Sequence, residues 1–445
     1  IDRLGDEAQG IALHEGMVVF VPKALPGERA RVRVIKPDKR YAVARLLEVE
    51  KASPERVEPP CPYAARCGGC VSQHMRYEAT LEFKQRQVED CLCRIGGLEA
   101  PDVAPMLGME NPWRYRNKGS FPVGGTVGAP FIGCYAPRSH TIVDAPEGCL
   151  LQDEQSDRMV SAVRRWMIEQ RIPPYEEAEH RGLIRHAVTR VTRAGQAMLT
   201  LVTMREDIPA AKALTDALRA AAPGLRGVCI APNDQRTNVI FGDTSFALWG
   251  NHILEETHFG LRFSLSPRAF FQVNPVQADK LYHKALEYAQ LRGDERVADV
   301  YCGTGTMTLL LARQAREVVG IEWSEAAVAD AERNAAYNGI PNARFVCEDA
   351  AKALPALAEA GERLDVVVLD PPRKGCDEAV LQAVGRARPK RLVYVSCNPA
   401  TLARDAALLA GLGYGLQSAQ PVDMFCWTGS VETAALFLPL PPKAP

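Results

Sequence analysis

The stretch RVADVYCGTGT, residues 296–306, decides the fold of the C-terminal part of the chain. Its first five residues read as a buried strand, and the glycine-rich turn that follows opens a helix. Glycines at 303 and 305 allow the backbone to approach a ligand closely, and the start of the helix offers free N–H groups. A Gly-x-Gly turn alone is weak evidence because many turns need it, so the surrounding pattern must decide.

From about residue 270 onward, strand-like and helix-like segments alternate strictly around this stretch. The other strand-like runs lie at 317–322, 344–347, 364–369 and 391–396, each before a helix, with two more near residues 417 and 433. This alternation with apolar strands predicts an α/β fold, in which helices cover both faces of a parallel sheet.

Acidic residues end the second and third of these strands. Glu322 is placed to accept hydrogen bonds from ribose hydroxyls, and Asp349 is placed to take an adenine amino group. A dinucleotide and S-adenosylmethionine both satisfy this arrangement. The nicotinamide fingerprint is incomplete because Thr308 stands where a third small residue is needed. The pattern therefore favours S-adenosylmethionine and a Rossmann-like, class I methyltransferase domain.

Residues suited to chemistry follow the fourth and fifth strands. Asp370 runs straight into two prolines, which fix the backbone and hold the carboxylate toward the cofactor crevice. Cys397 ends the fifth strand, where the start of the next helix favours a nucleophilic thiolate. Glu432 lies near the last strand, and its spacing alone fits a surface carboxylate better than a base.

The N-terminal part reads as a different module. Residues 1 to about 50 contain short alternating runs that predict five strands closing a small, OB-like β-barrel. Its segment 28–45 holds seven Lys and Arg against two acids, a net charge of +5. This charge fits an RNA contact and a solvated strand face equally well. The whole chain balances 53 basic against 54 acidic residues, so any contact with a polyanion must be a local patch.

A proline-rich joint at 53–62 and mixed text beyond it predict a central α+β domain. We expect three domains, at 1–55, 56–265 and 266–445. The strand-like runs of the central part lie at 187–192, 197–203, 227–231 and 237–240. Its helix-like runs lie at 77–95, 153–169 and 210–222.

The composition, 47% hydrophobic and 24% charged, is that of an ordinary globular protein. No run approaches the roughly 18 apolar residues of a membrane span, and the first ten residues lack the layout of a signal peptide. The 13 cysteines are odd in number and scattered along the chain, which disfavours a disulfide framework. We expect a cytoplasmic monomer that has no contact with a membrane.

Three cysteines, Cys61, Cys67 and Cys70, lie within ten residues, and two glycines between them allow a tight wrap. The fourth thiolate of a metal site must come from elsewhere, and the candidates are Cys91, Cys93, Cys134 and Cys149. Four thiolates suit zinc or an iron–sulfur cluster equally well.

The segment WRYRNK, residues 113–118, interleaves aromatic and basic side chains. Arg114, Arg116 and Lys118 are therefore candidates to neutralise phosphates of a single strand whose bases stack nearby. A half-buried strand with solvated basic tips is the alternative interpretation.

Four stretches together resemble the RNA (uracil-5-)-methyltransferase family: SPRAFFQVN from Ser266, DPPRKG from Asp370, SCNPATLARD from Ser396, and PVDMF from Pro421 with Glu432 beyond it. Residues 1 to about 50 resemble the RNA-binding TRAM barrel. The resemblance implies that Cys397 adds to C6 of uracil and that Glu432 removes the C5 proton. It implies stacking of Phe270 against RNA. It also implies the cofactor-binding residues Gln272, Tyr301, Thr306, Glu322, Asp349 and Asp370.

The cysteine spacing resembles the family's [4Fe-4S] motif, in which the last ligand comes much later. The resemblance therefore implies Cys149 as the fourth ligand, with Cys91 or Cys93 as alternatives, and a cluster that shapes the RNA-binding part. The sequence departs from the family at Cys426 and Ser430, where proline and histidine are usual.

The TRAM-like barrel favours, by analogy, a uridine of 23S ribosomal RNA as the substrate, and a transfer RNA uridine is the alternative. A non-catalytic RNA-binding or ribosome-assembly factor is a second class, disfavoured by the intact Cys397 and Glu432. An amino-group methyltransferase that uses residues 370–372 is a third, and it would need no thiol.

Overall fold

The computed structural model describes residues 1–361 and 363–441. The chain forms two compact units, each discontinuous in sequence. The first consists of residues 1–60, 70–110 and those from 276 onward, and the second of residues 61–69 and 111–275. None of the described helices has the length and apolarity needed to cross a membrane.

The first unit begins with the predicted five-stranded β-module. Its strands are β1 (Arg3–Leu4), β2 (Gly10–His14), β3 (Met17–Val21), β4 (Arg29–Pro37) and β5 (Tyr41–Lys51), in the spatial order β1-β2-β3-β5-β4. Small and β-branched side chains fill its interior, among them Val19, Val21 and Ala44. β4 and β5 form a long antiparallel hairpin that is exposed over much of its length.

The helix α1 (Tyr77–Arg94) follows. Its buried residues recur every four positions, at Thr80, Lys84, Val88 and Leu92, so they share one face. Val88 and Leu92 join the apolar core of the sheet described below. Lys84 is an exception on this face, because it is a lysine with no exposed side-chain area.

The second unit is built on a seven-stranded sheet in the order β12-β11-β10-β9-β6-β7-β8, with a separate hairpin of β13 and β14. Its elements are β6 (Lys118–Thr126), β7 (Ala129–Tyr135), β8 (Ile142–Asp144), α2 (Glu154–Glu169), β9 (Ile184–Val191), β10 (Ala197–Thr203), α3 (Ala211–Ala221), β11 (Leu225–Pro232), β12 (Phe246–Gly250), β13 (Leu254–His258) and β14 (Leu261–Leu265). Side chains such as Met159, Trp166 and Leu199 bury α2 against the sheet.

One strand prediction in this unit is wrong. Residues 237–240 form no strand, because side chains take the carbonyls that a strand ladder would use. Arg185 donates to the carbonyl of Thr237, and the Asn233 amide donates to those of Val239 and Ile240. The edge strand is instead β12, which the sequence pattern did not reveal.

The rest of the first unit confirms the α/β prediction. Its seven-stranded sheet has the order β17-β16-β15-β18-β19-β21-β20. All neighbouring strands are parallel except β21, which runs antiparallel to both β19 and β20. The elements are α4 (Pro275–Ala289), β15 (Arg296–Val300), α5 (Thr306–Ala312), β16 (Glu317–Glu322), α6 (Glu325–Tyr337), β17 (Ala343–Cys347), α7 (Ala350–Glu359), β18 (Val366–Leu369), α8 (Glu378–Ala387), β19 (Arg391–Ser396), α9 (Pro399–Gly411), β20 (Tyr414–Val422) and β21 (Glu432–Pro439).

The strand order of this sheet places a crevice at one edge. The chain proceeds from β15 to β16 and β17 on one side, and then to β18 and β19 on the other side of β15. Such a reversal opens a space beyond the carboxyl ends of the two central strands, where open α/β sheets bind ligands. At this edge of the sheet, Asp370 follows β18, Cys397 follows β19, and Glu432 begins the antiparallel β21.

Candidate active site

The glycine-rich turn after β15 has a backbone conformation that favours glycine at two of its positions. Gly303 and Gly305 both have positive φ angles, of 55° and 82°. A Cβ atom on Gly305 would lie 3.0 Å from that of Ala331 and 3.2 Å from the ring of Phe345. Glycine at 305 therefore lets the start of α5 pack closely against its neighbours.

Glu322 is held in a fixed orientation at the end of β16. One carboxylate oxygen accepts a hydrogen bond of 3.2 Å from the Gly303 N–H, and the other accepts one of 3.0 Å from the Ser324 N–H. These bonds tie the acidic residue to the glycine-rich turn. Tyr301, Thr306 and Asp349 lie at the same edge, after β15 and β17.

Asp299 is a buried acidic residue that sequence reasoning did not assign to the site. One of its oxygens accepts from the Thr308 hydroxyl at 2.5 Å, and the other has no hydrogen-bond partner among the described residues. Burial raises the pKa of this carboxyl to about 6. An orphaned acceptor at this edge suits a ligand that carries N–H groups or positive charge, as S-adenosylmethionine does.

The strand register brings Cys397 and Glu432 together. Ser396 on β19 pairs with Thr433 on β21, so the residue after Ser396 and the residue before Thr433 lie side by side. Asp370 directly follows β18, the other neighbour of β19. Three groups that the sequence places 27 or more residues apart, as the numbers 370, 397 and 432 show, therefore meet at the ends of adjacent strands.

Burial dominates the protonation of these three groups. It raises the pKa of Glu432 to about 8, with a contribution from the neighbouring Asp370 carboxyl. It also raises the pKa of Asp370 to about 7, with a contribution from Asp299. Burial and the two carboxyls raise the pKa of the Cys397 thiol to about 11. Burial therefore favours the neutral forms of the thiol and of Glu432 near pH 7.

Arg373 is the cation that opposes these shifts, because its charge lowers the pKa of both Cys397 and Glu432. The Asn398 amide donates to the Arg373 carbonyl at 3.2 Å, which joins the loop after β18 to the turn after Cys397. That turn is ordered in addition by Asn398, whose side chain caps α9. The sequence analysis quoted the DPPRKG stretch without assigning Arg373, although a cation within it was the available signal.

Two predicted site residues, Phe270 and Gln272, belong to the second unit. The Phe270 side chain is 69% exposed, as an aromatic group available for stacking must be. The Gln272 carbonyl accepts from the Asn117 amide at 3.0 Å.

The candidate RNA-binding residues of 113–118 are largely occupied by contacts within the second unit. Arg114 donates to the carbonyls of Cys149 and Gln152 and forms a 2.5 Å ion pair with Asp157. Burial, together with Arg190, lowers the pKa of Lys118 to about 8. Arg116 is half-buried. Their RNA contacts stay a prediction.

Of the four cysteines predicted to bind a metal, Cys61, Cys67 and Cys149 belong to the second unit and Cys70 to the first. Burial raises the pKa of the Cys61 and Cys149 thiols, and the nearby Cys67 thiol raises both further. In the part of the chain that the structure describes, no three His, Cys, Asp or Glu side chains are arranged to hold a metal ion. These cysteines therefore form no ready-made metal site.

The strand order with one antiparallel strand, the glycine-rich turn and the acidic residues after β16 and β17 define an S-adenosylmethionine-dependent methyltransferase. Comparisons with known proteins agree. The model of the tRNA (uracil-5-)-methyltransferase family matches residues 250–438, and that of the TRAM domain matches residues 1–47. The chain belongs to the RNA (uracil-5-)-methyltransferase family, and it is an S-adenosylmethionine-dependent RNA methyltransferase with an N-terminal TRAM domain.

Individual relatives cover nearly the whole chain. An uncharacterized RNA methyltransferase of Halalkalibacterium halodurans is 46% identical over 98% of this chain and 95% of its own length. Another, of Clostridium tetani, is 43% identical over 98% of this chain and 95% of its own. The structure of Pyrococcus abyssi tRNA (uracil-54, C5)-methyltransferase with S-adenosyl-L-homocysteine matches with a TM-score of 0.80 and 26% identity, over 98% of this chain and 99% of that one.

Proposed function

We propose that this enzyme methylates C5 of an RNA uridine through a covalent bond between Cys397 and C6 of the uracil, with Glu432 as the base. The observation that carries this proposal is the register of β19 and β21, which sets a thiol beside a buried carboxyl at the mouth of the cofactor crevice. Uracil C5 is a poor nucleophile, so a group must first add to C6. Cys397 is the group placed to do so.

The first bond to form is the one between Cys397 Sγ and C6, which requires the thiolate. The charge of Arg373 favours this anion. Addition to C6 moves the electron pair of the C5–C6 double bond into an enolate, which makes C5 nucleophilic. C5 would then attack the methyl group on the sulfonium of S-adenosylmethionine, the methyl–sulfur bond would break, and the cofactor would leave as a neutral thioether.

Glu432 completes the reaction. Its carboxylate takes the proton from C5, the electron pair of that C–H bond re-forms the C5–C6 double bond, and the C6–S bond breaks to release the Cys397 thiolate. Asp370 directly follows β18, the strand that lies between β15 and β19. Residues Gln272, Tyr301, Thr306, Glu322, Asp349 and Asp370 are proposed to bind the methyl donor, and Phe270 to stack on RNA.

For the RNA we propose a uridine of 23S ribosomal RNA, on the analogy that the TRAM module provides. A transfer RNA uridine is the second candidate. The match to the Pyrococcus protein, named for transfer RNA uracil 54, supports this candidate, because it covers 98% of this chain and therefore includes the N-terminal module.

The experiment that tests this proposal combines purified protein, methyl-labelled S-adenosylmethionine and unmodified ribosomal or transfer RNA. We expect labelled 5-methyluridine from the wild type and from Cys93→Ala, whose thiol is exposed on α1, and none from Cys397→Ala. Nucleoside mass analysis identifies the product, and RNA mapping identifies the uridine. Methylated adenine or guanine, or label that survives Cys397→Ala, would contradict the cysteine mechanism and favour an amino-group methyltransferase. Absence of any methylated nucleoside would favour a binding factor.

We also propose that Cys61, Cys67, Cys70 and Cys149 bind a [4Fe-4S] cluster, with zinc as the alternative. Their spacing and the closeness of Cys67 to Cys61 and Cys149 support this proposal. Methyl transfer needs no redox step, so no part of the reaction is assigned to a metal.

A further inference from the structure

A buried ion pair joins α1 to the segment that leads into β21. The Lys84 ammonium lies 2.5 Å from one carboxylate oxygen of Asp423, and neither side chain has any exposed area. Lys84 also donates to the Phe425 carbonyl at 3.0 Å. The cost of desolvating two charges often cancels the attraction between them, so stability alone does not explain this pair.

The second oxygen of Asp423 is also filled. It accepts from the Tyr77 hydroxyl at 2.7 Å, and that hydroxyl in turn accepts from the Met109 N–H at 3.0 Å. The sulfur of Cys426 lies 3.5 Å from the same hydroxyl. Two side chains of α1 therefore donate hydrogen bonds to this carboxylate. Charge-assisted hydrogen bonds of this kind are among the stronger ones in proteins.

Trp427 extends the attachment toward β21. Its φ angle of 67° lies in the left-handed region, which is costly for a bulky residue and persists only where neighbours enforce it. Its ring lies 5.2 Å from that of Tyr77, and its carbonyl accepts from the N–H groups of Val71 and Ser72. Cys426, at which the sequence departs from the family, and its neighbour Trp427 are thus both contacts of Tyr77.

Asp423 lies next to the strand pairing that contains Glu432. Glu432 on β21 pairs with Val422 on β20, and Asp423 is the next residue. Residues 423–431 are therefore the connection whose two ends both lie at Glu432. A carboxyl that must reach the proton on C5 depends on how this connection is held.

We propose that Tyr77, Lys84 and Asp423 are positioning residues, which hold the 423–431 connection so that the Glu432 carboxylate faces C5 of the target uracil. This proposal rests on the proposed role of Glu432 as base. Loosening the connection slows the removal of the C5 proton and hence the release of Cys397. It spares the earlier steps, in which Cys397 adds to C6 and the methyl group is transferred.

The test is the amount of enzyme covalently bound to RNA. In a denaturing gel after mixing with RNA and S-adenosylmethionine, we expect Tyr77→Phe to raise the covalent fraction several-fold over wild type, with the methyl group already on the adduct by mass. Its rate of adduct formation should stay within about twofold of wild type, because the addition of Cys397 to C6 precedes the step that uses Glu432. Lys84→Met should show the same effect more strongly.

The matched control is Tyr288→Phe, which removes a hydroxyl bonded at 3.2 Å to Ser418 on β20, away from Glu432. It should behave as the wild type. Lys84→Met leaves Asp423 buried without its cation and is expected to be less stable, so Tyr77→Phe decides the question if that variant does not fold. Equal loss of adduct formation and product release in Tyr77→Phe, or no change in either, would overturn the positioning role. No adduct and no 5-methyluridine from the wild type would instead overturn the proposed function.

Discussion

At the scale of single residues, the candidate site consists of groups that the protein fold itself buries. Glu432 is only 5% exposed, and Asp299 and Asp370 lose most of their solvent contact as well. Folding stays possible because their carboxyls remain protonated to higher pH than in water. In its proposed role as base, Glu432 must first lose its proton, and the charge of Arg373 favours the ionised carboxylate.

This burial predicts how stability depends on pH. The pKa of Glu432 rises from 4.5 to about 8 on folding. Its contribution is therefore fully present below pH 4.5 and is lost as pH rises toward 8, because the unfolded chain ionises first. Glu432→Gln does not titrate, so its melting temperature should gain on the wild type between pH 5 and pH 8. The corresponding gain in the free energy of unfolding is on the order of a few kcal/mol at most.

Thermal denaturation of both proteins at unit steps of pH measures this difference. Glu110→Gln, a change at an exposed carboxylate, is the control and should track the wild type throughout. A Glu432→Gln difference that is the same at pH 5 and pH 8 would contradict a raised pKa for this carboxyl.

At the scale of elements, the β4–β5 hairpin shows how ion pairing sorts a basic sequence. At its base, Arg29 pairs with Glu50 at 3.1 Å and Arg31 pairs with Glu48 at 2.9 Å. No ion pair within the described chain involves the basic residues nearer the tip, and Asp38 is the single acid there. Those basic residues are Arg33, Lys36, Lys39, Arg40 and Arg45. The uncompensated charge is therefore at the tip, beside the exposed side chains of Val34 and Ile35.

We expect the tip to supply phosphate contacts. Replacing Lys36, Lys39 and Arg40 together by Gln should weaken RNA binding and reduce the slope of log affinity against log salt by up to about 2 to 3, since each phosphate contact contributes roughly 0.7 to 0.9. Replacing Arg29 and Arg31 by Gln removes two positive charges, against three in the first variant, from ion-paired positions, and the slope should change by less than about 1. The measurement is RNA affinity between about 50 and 200 mM salt. Equal slopes for the two variants would assign the RNA contact elsewhere.

Local pattern accounts for the elements that the sequence could predict. Three strands, 296–300, 317–322 and 391–396, have the predicted bounds because each is a short, buried, apolar run between turn signals. The insertion of β21 between β19 and β20 left no such signal, since strand pairing depends on distant partners. The error at 237–240 has the same origin, because side chains of Arg185 and Asn233 decide that segment.

The candidate site divides in the same way. Roles for Cys397 and Glu432 could be predicted because the motif resemblance implies them, and the strand register sets the two residues side by side. Lys84 could not be assigned, because its partner Asp423 lies 339 residues away. The weak signal was a lysine on the otherwise buried face of an amphipathic helix.

At the scale of the whole molecule, the course of the chain bears on the cysteines. Residues 61–69 belong to the second unit although both flanking segments belong to the first, so Cys61 and Cys67 share their unit with Cys149. Crowded, half-buried thiols gain nothing from burial as thiolates, since desolvation and mutual repulsion raise their pKa. A bound metal removes both penalties, because it compensates the charge of the thiolates that ligate it.

The cysteines therefore predict a metal content that can be measured. Protein purified without oxygen should contain about four iron atoms and as many sulfides per chain, with a broad visible absorption, if a [4Fe-4S] cluster is bound. Cys149→Ser should lose the iron, whereas Cys134→Ser and Cys93→Ser, which change cysteines outside the proposed set, should keep it.

About one zinc per chain that Cys149→Ser abolishes would replace iron by zinc at the same ligands. Iron lost from Cys93→Ser but kept in Cys149→Ser would move the fourth ligand to α1. Metal-free protein that melts at the same temperature with and without added iron and sulfide would remove the metal altogether, and the closeness of Cys67 to Cys61 and Cys149 would then be a matter of packing alone.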